Sequence, residues 1–555
     1  MNDIARLLLE RVSSGLKRKS LTTCSRWAEA CRVMGKPFPG PWTFKWHPWL
    51  RAMHDSDAEM NVGMKSAQAG YTETALNRVF YMMDVRAISC LYVLPTANPD
   101  ATDFSASRFN PAIEASVHLS RMFSDVDNVG LKRAGGVNLF VRGSRARNQL
   151  KSIPTGMIVL DELDEMDKDN VRLALERSAG QIEKQVWAIS TPTIPKTGIH
   201  EMYLNTTQEH YFFKCPCCSR WTEIVFPDCL EITAEDINDP KIVDCFYKCK
   251  ECKGKLPHET KWEWLAKGEW VSQFQGTQGR GFHVNQLYSS ALAGRPQEIA
   301  VSYLKSLRDP AEEQEFYNSK LGQPHIVADA GVTDEHLARA TGDFRIHEYA
   351  PHSGLVTMGV DVGKWLHWEV DMWQLGYTTA TIDINVMAFC RVLAMGKCRD
   401  FEELDDILRR FGVSCCIIDA NPERRKAHEF ACRFNGCVKL CIYVAGIAGK
   451  QIHFGNENDA FQGEHLVKVD RTAWLDLSLG RFKKEGMIKI PVDTPREYKE
   501  HIKCPVRVYE KDQTGNPVGK YVSPNDEDHF AHARNYAEIG LQFAASMANP
   551  QDIVE

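Results

Sequence analysis

No apolar run in these 555 residues reaches the length of about 18 that a membrane-crossing helix needs, so no membrane-spanning helix is expected. The first residues, M-N-D-I-A-R-L-L-L-E-R-V, lack the basic front and small-residue cleavage site of a secretory leader, and with them goes the expectation of an oxidising compartment. Charge of one sign is also lacking. Lys and Arg total 67 against 73 Asp and Glu, a net −6, so the molecule as a whole does not attract polyanions, although a local basic stripe can still bind nucleic acid. Cysteine, by contrast, is plentiful: eighteen thiols in a chain without a leader are metal ligands or small buried hydrophobes rather than disulfides. The composition, 43% hydrophobic and 25% charged, is that of a globular protein rather than a disordered one, and the length calls for about two to four domains.

Ile4, Leu8 and Val12 fall on one face of an amphipathic opening helix, suited to packing on its own domain or to docking on a partner. Trp42 to Leu50, W-T-F-K-W-H-P-W-L, reads as a core aromatic cluster, with stacking on adenine as the alternative. Arg142 to Arg147 and Arg481 to Lys484 are basic stretches that suit either DNA or a solvated surface. From Met60 onward strand and helix patterns alternate: a helix over Thr72–Met83, strands over Ile88–Leu94 and Val137–Arg142, an apolar run at 157–160, a helix near Val171–Ala179 and a strand over Val186–Thr191. Alternation of this kind predicts a doubly wound parallel α/β sheet with its ligand at the carboxyl ends of the strands.

The segment Asn61 to Thr72, N-V-G-M-K-S-A-Q-A-G-Y-T, resembles the phosphate-binding loop of P-loop ATPases, with two departures. Lys65 stands at the first glycine position of the G-x-x-x-x-G-K-[ST] frame, and Tyr71 stands where the lysine belongs. The loop still offers what a nucleoside triphosphate needs: backbone N–H groups from Ser66, Ala67, Gln68, Ala69, Gly70 and Tyr71, the Lys65 ammonium, the Thr72 hydroxyl for Mg²⁺, and a helix N-terminus. Downstream, M-I-V-L-D-E (157–162) has the form of a buried strand delivering a Mg²⁺-binding Asp161 and a water-activating Glu162. The strand ending at Ser190 and Thr191 has hydroxyls placed to sense the γ-phosphate or couple hydrolysis to motion.

Two C-x-x-C pairs, Cys215/Cys218 and Cys249/Cys252, have the spacing of a zinc ribbon whose four thiolates close a structural site; Cys217 is an alternative ligand. Trp262, Trp264 and Trp270 are expected to pack on these knuckles. Beyond 351–354, P-H-S-G, the pattern changes to a strand ending at Asp361, a second over Leu366–Leu375, a third near Ala380–Val386, a helix over Phe401–Arg410 and a strand ending at Asp419. If the last pairs with the first, this is the strand order of an RNase H-like mixed sheet, with Asp361 beside Asp419. Ser523 to Asp526 reads as the N-cap of a final helix, which puts Asp528 and His532 on one face. Three acids from separate elements, Asp361, Asp419 and Asp528, are what two Mg²⁺ ions about 3.5–4 Å apart require for phosphodiester cleavage.

Taken with G-F-H-V-N-Q-L-Y-S (281–289), L-G-Q-P (321–324) and V-D-V-G (360–363), these motifs resemble the large terminase subunit of tailed bacteriophages, in its lambda-like branch. The resemblance spans roughly residues 40–540. It implies ATP-driven pumping of double-stranded DNA into a procapsid and cutting of concatemeric DNA, in the host cytoplasm. It also implies ATP, Mg²⁺ or Mn²⁺ and Zn²⁺ as cofactors, and a small terminase subunit, the portal and a homo-oligomeric ring as partners. The expected division is a helical segment at 1–40, a P-loop ATPase at 41–210, the zinc ribbon at 211–270, a helical connector completing the ATPase region at 271–350 and the nuclease at 351–555. One motif departs from the family, where D-D-x-x-D-A becomes D-H-F-A-H-A, so that His529 and His532 replace acids. Rival readings are a helicase-like remodelling ATPase, which gives Asp361, Asp419 and Asp528 no role, and a prophage remnant with a structural role only.

Overall fold

A computed structural model of the chain describes residues 23–547, apart from 36–38, 124–125, 152, 278, 349–354, 376–382, 448, 456–465, 512–516 and 526. The opening helix with Ile4, Leu8 and Val12 and the turn at 351–354 lie outside the described residues. The chain divides into two compact units, residues 1–326 and 327–555.

In the first unit the apolar runs become strands β1 (Met60–Lys65), β2 (Cys90–Leu94), β3 (Val137–Gly143), β4 (Met157–Asp161) and β5 (Gln185–Ser190). Every residue of β2, β4 and β5 is buried, as in a parallel sheet covered on both faces. With β6 (Glu209–Lys214) and β7 (Gly279–Val284) they run parallel in the order β6-β7-β1-β5-β4-β2-β3. Short antiparallel strands border the two sides, Leu131–Ala134 on β3 and Trp221–Thr222 and Glu269–Val271 on β6. Helix α1 (Tyr71–Asp84) joins β1 to β2 and buries Leu76, Val79 and Phe80 in the core. Lys65, Ser190 and Asp161 therefore end three neighbouring strands at one edge of the sheet, where such folds hold ligands.

The stretch 271–350 differs from the helical connector expected of it. Its G-R-G-F-H-V segment is β7, paired parallel to β1 along its length, ahead of the helices Pro296–Ser306 and Pro310–Glu315. Val332, Leu337 and Ala340, from the end of the same stretch, belong to the core of the second unit.

The second unit is built on β8 (Leu355–Val362), β9 (Leu366–Gln374), β10 (Phe389–Cys398), β11 (Cys415–Asp419), β12 (Val438–Tyr443) and β13 (Leu466–Val469). The sheet runs β10-β9-β8-β11-β12-β13, antiparallel through the β8-β9-β10 meander and parallel from β8 to β13. Helix α2 (Phe401–Phe411) makes the crossover to β11. Of the expected third strand Ala380–Val386, residues 380–382 lie outside the described residues; Ile384–Met387 is a helical turn capped by the Asp383 side chain, and the next described strand begins at Phe389. The buried Asn385 amide donates to Glu538 O and Oε1, both at 2.9 Å, which ties the turn to the final helix. Helix α3 (Arg471–Lys483) and the final helix α4 (His529–Met547) pack on the sheet. α4 starts later than the Ser523 N-cap would have it. The first turn closes on the Asp528 carbonyl, and the Ser523 hydroxyl bonds the Asp528 carboxylate instead. α4 crosses β8 so closely that a Cβ on Gly359 would meet the Ala533 carbonyl oxygen at 1.9 Å, which only glycine avoids.

A fully buried charge network fastens α4 to the sheet. Arg534 pairs with Glu369 at 3.1 Å, with Asp371, and with Glu538 at 2.9 Å, while Arg481 pairs with Glu538 at 2.6 Å. Burial, with Asp371 beside it, pushes the Glu369 carboxyl well up; Glu538 resists the same burial because Arg481 and Arg534 hold it below its ordinary value. Arg481 is thus 2% exposed and part of the core, not of a basic surface stripe. Arg534→Met should strand Glu369 and Asp371, while Glu538 keeps Arg481, and is expected to destabilise this unit by about 3–5 kcal/mol, read as a lowered denaturation midpoint; a shift under about 1 kcal/mol would show the network to be dispensable.

Candidate functional site

The P-loop candidate is suspended between β1 and α1, with Gly70 in the left-handed region (φ +85°) just before the helix. Neighbouring segments fix its backbone: Ser66 N–H donates to Val284 O at 3.3 Å, Ala67 N–H to Ser319 O at 2.7 Å, and the Trp49 indole to Ala69 O at 3.1 Å. Two amides of the expected phosphate cradle are therefore engaged by protein, and the N–H groups at the start of α1 are those a helix leaves unpaired. Gly322, at φ +63°, presses against the loop; a Cβ there would stand 2.7 Å from Ser66 N. That contact accounts for the L-G-Q-P motif. Tyr71, in the usual lysine position, is 1% exposed and belongs to the core, so its side chain is turned away from solvent.

Lys65 Nζ lies 2.6 Å from Glu162 Oε1. Burial pulls the Lys65 ammonium down, but Glu162 and Asp161 more than offset this and hold it above its ordinary value. Asp161 accepts from the Tyr92 hydroxyl at 2.6 Å. Burial pushes its carboxyl up to about 6, against the opposing pull of Lys65 and of the Tyr92 and Thr72 hydroxyls. Asp161 Oδ1 and Ser66 Oγ are buried without a hydrogen bond among the described residues. These orphaned oxygens, beside an ammonium and a helix N-terminus, fit a Mg²⁺-nucleotide. Glu162 itself sits at φ +62°, an uncommon conformation for a residue with a side chain.

Asp164, not singled out in the sequence, ties the end of β4 to the loop after β5: its carboxylate accepts from Thr193 N at 2.9 Å and Ile199 N at 2.7 Å. Thr193 O in turn accepts from Asn318 Nδ2 at 2.7 Å, next to the Ser319 that holds Ala67. A continuous hydrogen-bonded path thus joins the acidic strand end to the P-loop.

The four cysteines of the ribbon converge, with all Sγ atoms within 4.8 Å of one another. Tetrahedral sulfurs at about 2.3 Å from zinc lie about 3.8 Å apart. Cys215 and Cys252 Sγ are 3.9 Å apart. Each knuckle turns through positive φ at the residue after its second cysteine, Ser219 (60°) and Lys253 (58°). The donor set therefore fits a tetrahedral zinc. Cys217 stands outside the cluster, its Sγ 3.4 Å from Lys255 O. Three short antiparallel strands, Leu230–Glu231, Phe246–Lys248 and Lys255–Leu256, complete the ribbon. Of the tryptophans expected on the knuckles, Trp264 lies against Phe213 at 4.8 Å. Trp270 and Trp262 depart from that expectation. Trp270 donates to Trp49 O and Trp262 meets Trp46, so both join the aromatic cluster of residues 42–50, whose Trp42, Phe44 and Trp49 are buried as a core.

In the second unit Asp361, near the end of β8, and Asp419, at the end of β11, lie on adjacent parallel strands. Burial, with a contribution from Asp361, pushes the Asp419 carboxyl up to about 6. Asp528 lies before α4, 3.3 Å from His532 Nε2 and 3.6 Å from Arg471. Burial would raise its carboxyl, but His532, Ser523 and Arg471 hold it well below the usual range. The pairing of Asp528 with His532 is the one their helical spacing predicts. The ligand atoms that cluster within 4.8 Å are, however, those of Asp361, His529 and a residue the sequence did not mark, His367. His529 Nδ1 is 2.8 Å from Asp361 Oδ2, and this bond holds the imidazole above its ordinary pKa. Burial, with His529 alongside, pushes His367 down to about 4.

A parallel-sheet unit with a P-loop and an acidic strand end, followed by a unit with RNase H strand order and acids on adjacent strands, defines a chain that joins nucleotide hydrolysis to phosphodiester cleavage. Residues 37–270 match the model of the phage terminase large subunit gpA ATPase domain, and residues 279–549 that of the terminase large subunit gpA endonuclease domain. The chain belongs to the phage terminase large subunits and is a DNA-packaging motor with ATPase and endonuclease domains that uses ATP and divalent metal. The endonuclease match begins at β7, although β7 pairs within the first unit's sheet. Among solved structures, the large terminase of bacteriophage HK97 shares the fold, with a TM-score of 0.50 and 10% identity over 93% of this chain and 98% of that one. The large terminase of a thermophilic bacteriophage matches with a TM-score of 0.30 and 12% identity over 89% of this chain and 98% of that one. Comparison with curated protein sequences gives no match. Among the described residues no helix is long and apolar enough to cross a membrane.

Proposed function

We propose that Lys65, Thr72, Asp161 and Glu162 carry ATP hydrolysis, and that Asp361, Asp419 and Asp528 carry DNA cleavage. The observation that carries the motor assignment is the Lys65–Glu162 contact beside a buried Asp161 at the carboxyl edge of the sheet. With nucleotide bound, Lys65 would neutralise the β- and γ-phosphates, Thr72 and Asp161 would hold the Mg²⁺, and Glu162 would orient the attacking water. The Asp164–Thr193–Asn318 path is the route by which hydrolysis shifts the segment that supports the loop. In the nuclease, the divalent ions supply Lewis-acid activation of water and stabilisation of the leaving oxygen. Asp361 and Asp419 would hold them from adjacent strands, and Asp528 would complete the set. The protein acts in the host cytoplasm as a homo-oligomeric ring on the portal, with a small terminase subunit delivering double-stranded DNA.

This reading is tested with the full chain on concatemeric DNA, with and without the small subunit. ATP turnover stimulated by double-stranded DNA and metal-dependent cutting are expected together. DNA-stimulated turnover without cutting in Mg²⁺ or Mn²⁺ would leave a translocase and sink the nuclease assignment.

The ribbon is assigned one structural zinc on Cys215, Cys218, Cys249 and Cys252. The four thiolates come from two knuckles more than thirty residues apart, so metal binding is part of the segment's folding free energy. Elemental analysis should find one zinc per chain, and chelation should open residues 211–256 to protease. Protein purified without chelator and free of zinc would refute the assignment.

A further inference from the structure

We propose that Asp361, His367 and His529 form one divalent-metal site of two imidazoles and a carboxylate, which takes a first-row transition ion such as Mn²⁺ in preference to Mg²⁺. The proposal rests on the reading of this centre as the nuclease's and adds to it a ligand, His367, and a metal preference. Asp361 and His367 are direct partners across the antiparallel β8-β9 hairpin, and His529 opens the helix that crosses β8. Three elements thus deliver donor atoms that lie within 4.8 Å of one another. Donors bound in cis to one ion at about 2.1 Å stand roughly 3 Å apart. The Nδ1 of His529 and Oδ2 of Asp361 are already 2.8 Å apart.

The behaviour of His367 points to a ligand. It is 4% exposed, and its Nδ1 is buried with no hydrogen-bond partner among the described residues. A buried ring nitrogen without a partner costs stability unless something satisfies it. The ring is held rigidly, edge-on to Phe530 at 4.9 Å and nearly parallel to His529 at 4.6 Å, so it is positioned rather than free to turn away. The donor chemistry sets the preference. Mg²⁺ takes oxygen ligands and gives up water reluctantly, whereas first-row transition ions accept nitrogen donors with an affinity that rises along the series from Mn²⁺, the weakest of them and so the most demanding test.

The test is a titration of the zinc-loaded full chain with Mn²⁺ alone, followed by electron paramagnetic resonance of the free ion and then by Mg²⁺ competition. Wild type is expected to bind Mn²⁺ at least tenfold more tightly than Mg²⁺. His367→Ala should lose tenfold or more in Mn²⁺ affinity, with the far-ultraviolet circular dichroism unchanged. His529→Asp, which leaves β9 intact and supplies a carboxylate, should move the preference toward Mg²⁺. Equal affinity for the two ions in wild type would overturn the proposal, as would unchanged Mn²⁺ affinity in folded His367→Ala and no shift in His529→Asp. DNA cutting is scored separately. Mn²⁺ binding that depends on His367 in a protein that never cuts DNA would uphold the metal site and refute the nuclease reading. Cutting with no effect of His367 on Mn²⁺ would do the reverse.

Discussion

Glu162→Gln is expected to lower ATP turnover by about 10²–10⁴-fold while leaving ATP bound, the range lost when a positioned acid–base group is removed. The amide keeps the size and the hydrogen-bonding reach of the carboxylate but cannot draw a proton from water. Lys65→Ala should fail at a different step. Its ammonium lies 2.6 Å from Glu162 Oε1 at the carboxyl edge of the sheet, and removing it is expected to weaken both nucleotide binding and the stabilisation of charge during transfer. Neither variant is expected to unfold the unit: the Glu162 side chain is 44% exposed and stays solvated without Lys65, and in Glu162→Gln the buried Lys65 ammonium keeps Asp161 beside it. Turnover by phosphate release and binding by a fluorescent nucleotide separate the two steps. Near-normal turnover in either variant would remove that residue from the mechanism.

The parts of this molecule that were legible in the sequence are those whose chemistry is local. Lys65 to Thr72, the run ending at Asp161 and Glu162, and the two C-x-x-C pairs each compress a proposed function into a few neighbouring positions, and burial on both faces makes strands such as β4 stand out as unbroken apolar runs. What was hidden depends on contacts made across the fold. The segment T-A-T-I-D-I-N-V-M alternates like a strand, yet its second half is a helical turn, with the buried Asn385 amide bonded to Glu538. Gly279 to Val284 has two glycines and an arginine, weak strand formers alone, but parallel pairing to β1 overrides that preference. Arg481 read as part of a basic stripe because its partner Glu538 is remote in sequence. His367 had a usable signal: Val362 pairs with Leu366 around a short turn, and counting outward by one places position 367 opposite Asp361. The Asp164–Thr193–Asn318 path had none, because side-chain bonds to loop backbone leave no periodicity.

Asp361→Ala should reduce DNA cleavage by orders of magnitude and leave ATP hydrolysis close to wild type. Among the described residues Asp361 is the carboxylate that has Asp419 on the adjacent strand and also shares the ligand cluster of His367 and His529, so an ion held on either side would lose a donor with it. The remaining imidazoles and Asp419 cannot replace the lost negative charge, and a two-metal cleavage deprived of its shared ligand loses the activated water as well as the stabilised leaving oxygen. The variant should still fold. Asp361 lies near the carboxyl end of β8, outside the Arg534–Glu369–Asp371–Glu538 network that fastens α4, and its bond to His529 is at a partly exposed site. ATP hydrolysis is insulated from the change because Lys65, Thr72, Asp161 and Glu162 all belong to the first unit, which has its own core. Cleavage of supercoiled DNA in Mg²⁺ and in Mn²⁺, with ATP turnover measured on the same preparation, reads both halves of the expectation. Normal cutting by Asp361→Ala in both ions would end the nuclease assignment, and loss of ATP turnover in a folded variant would end the claim that the two chemistries run independently.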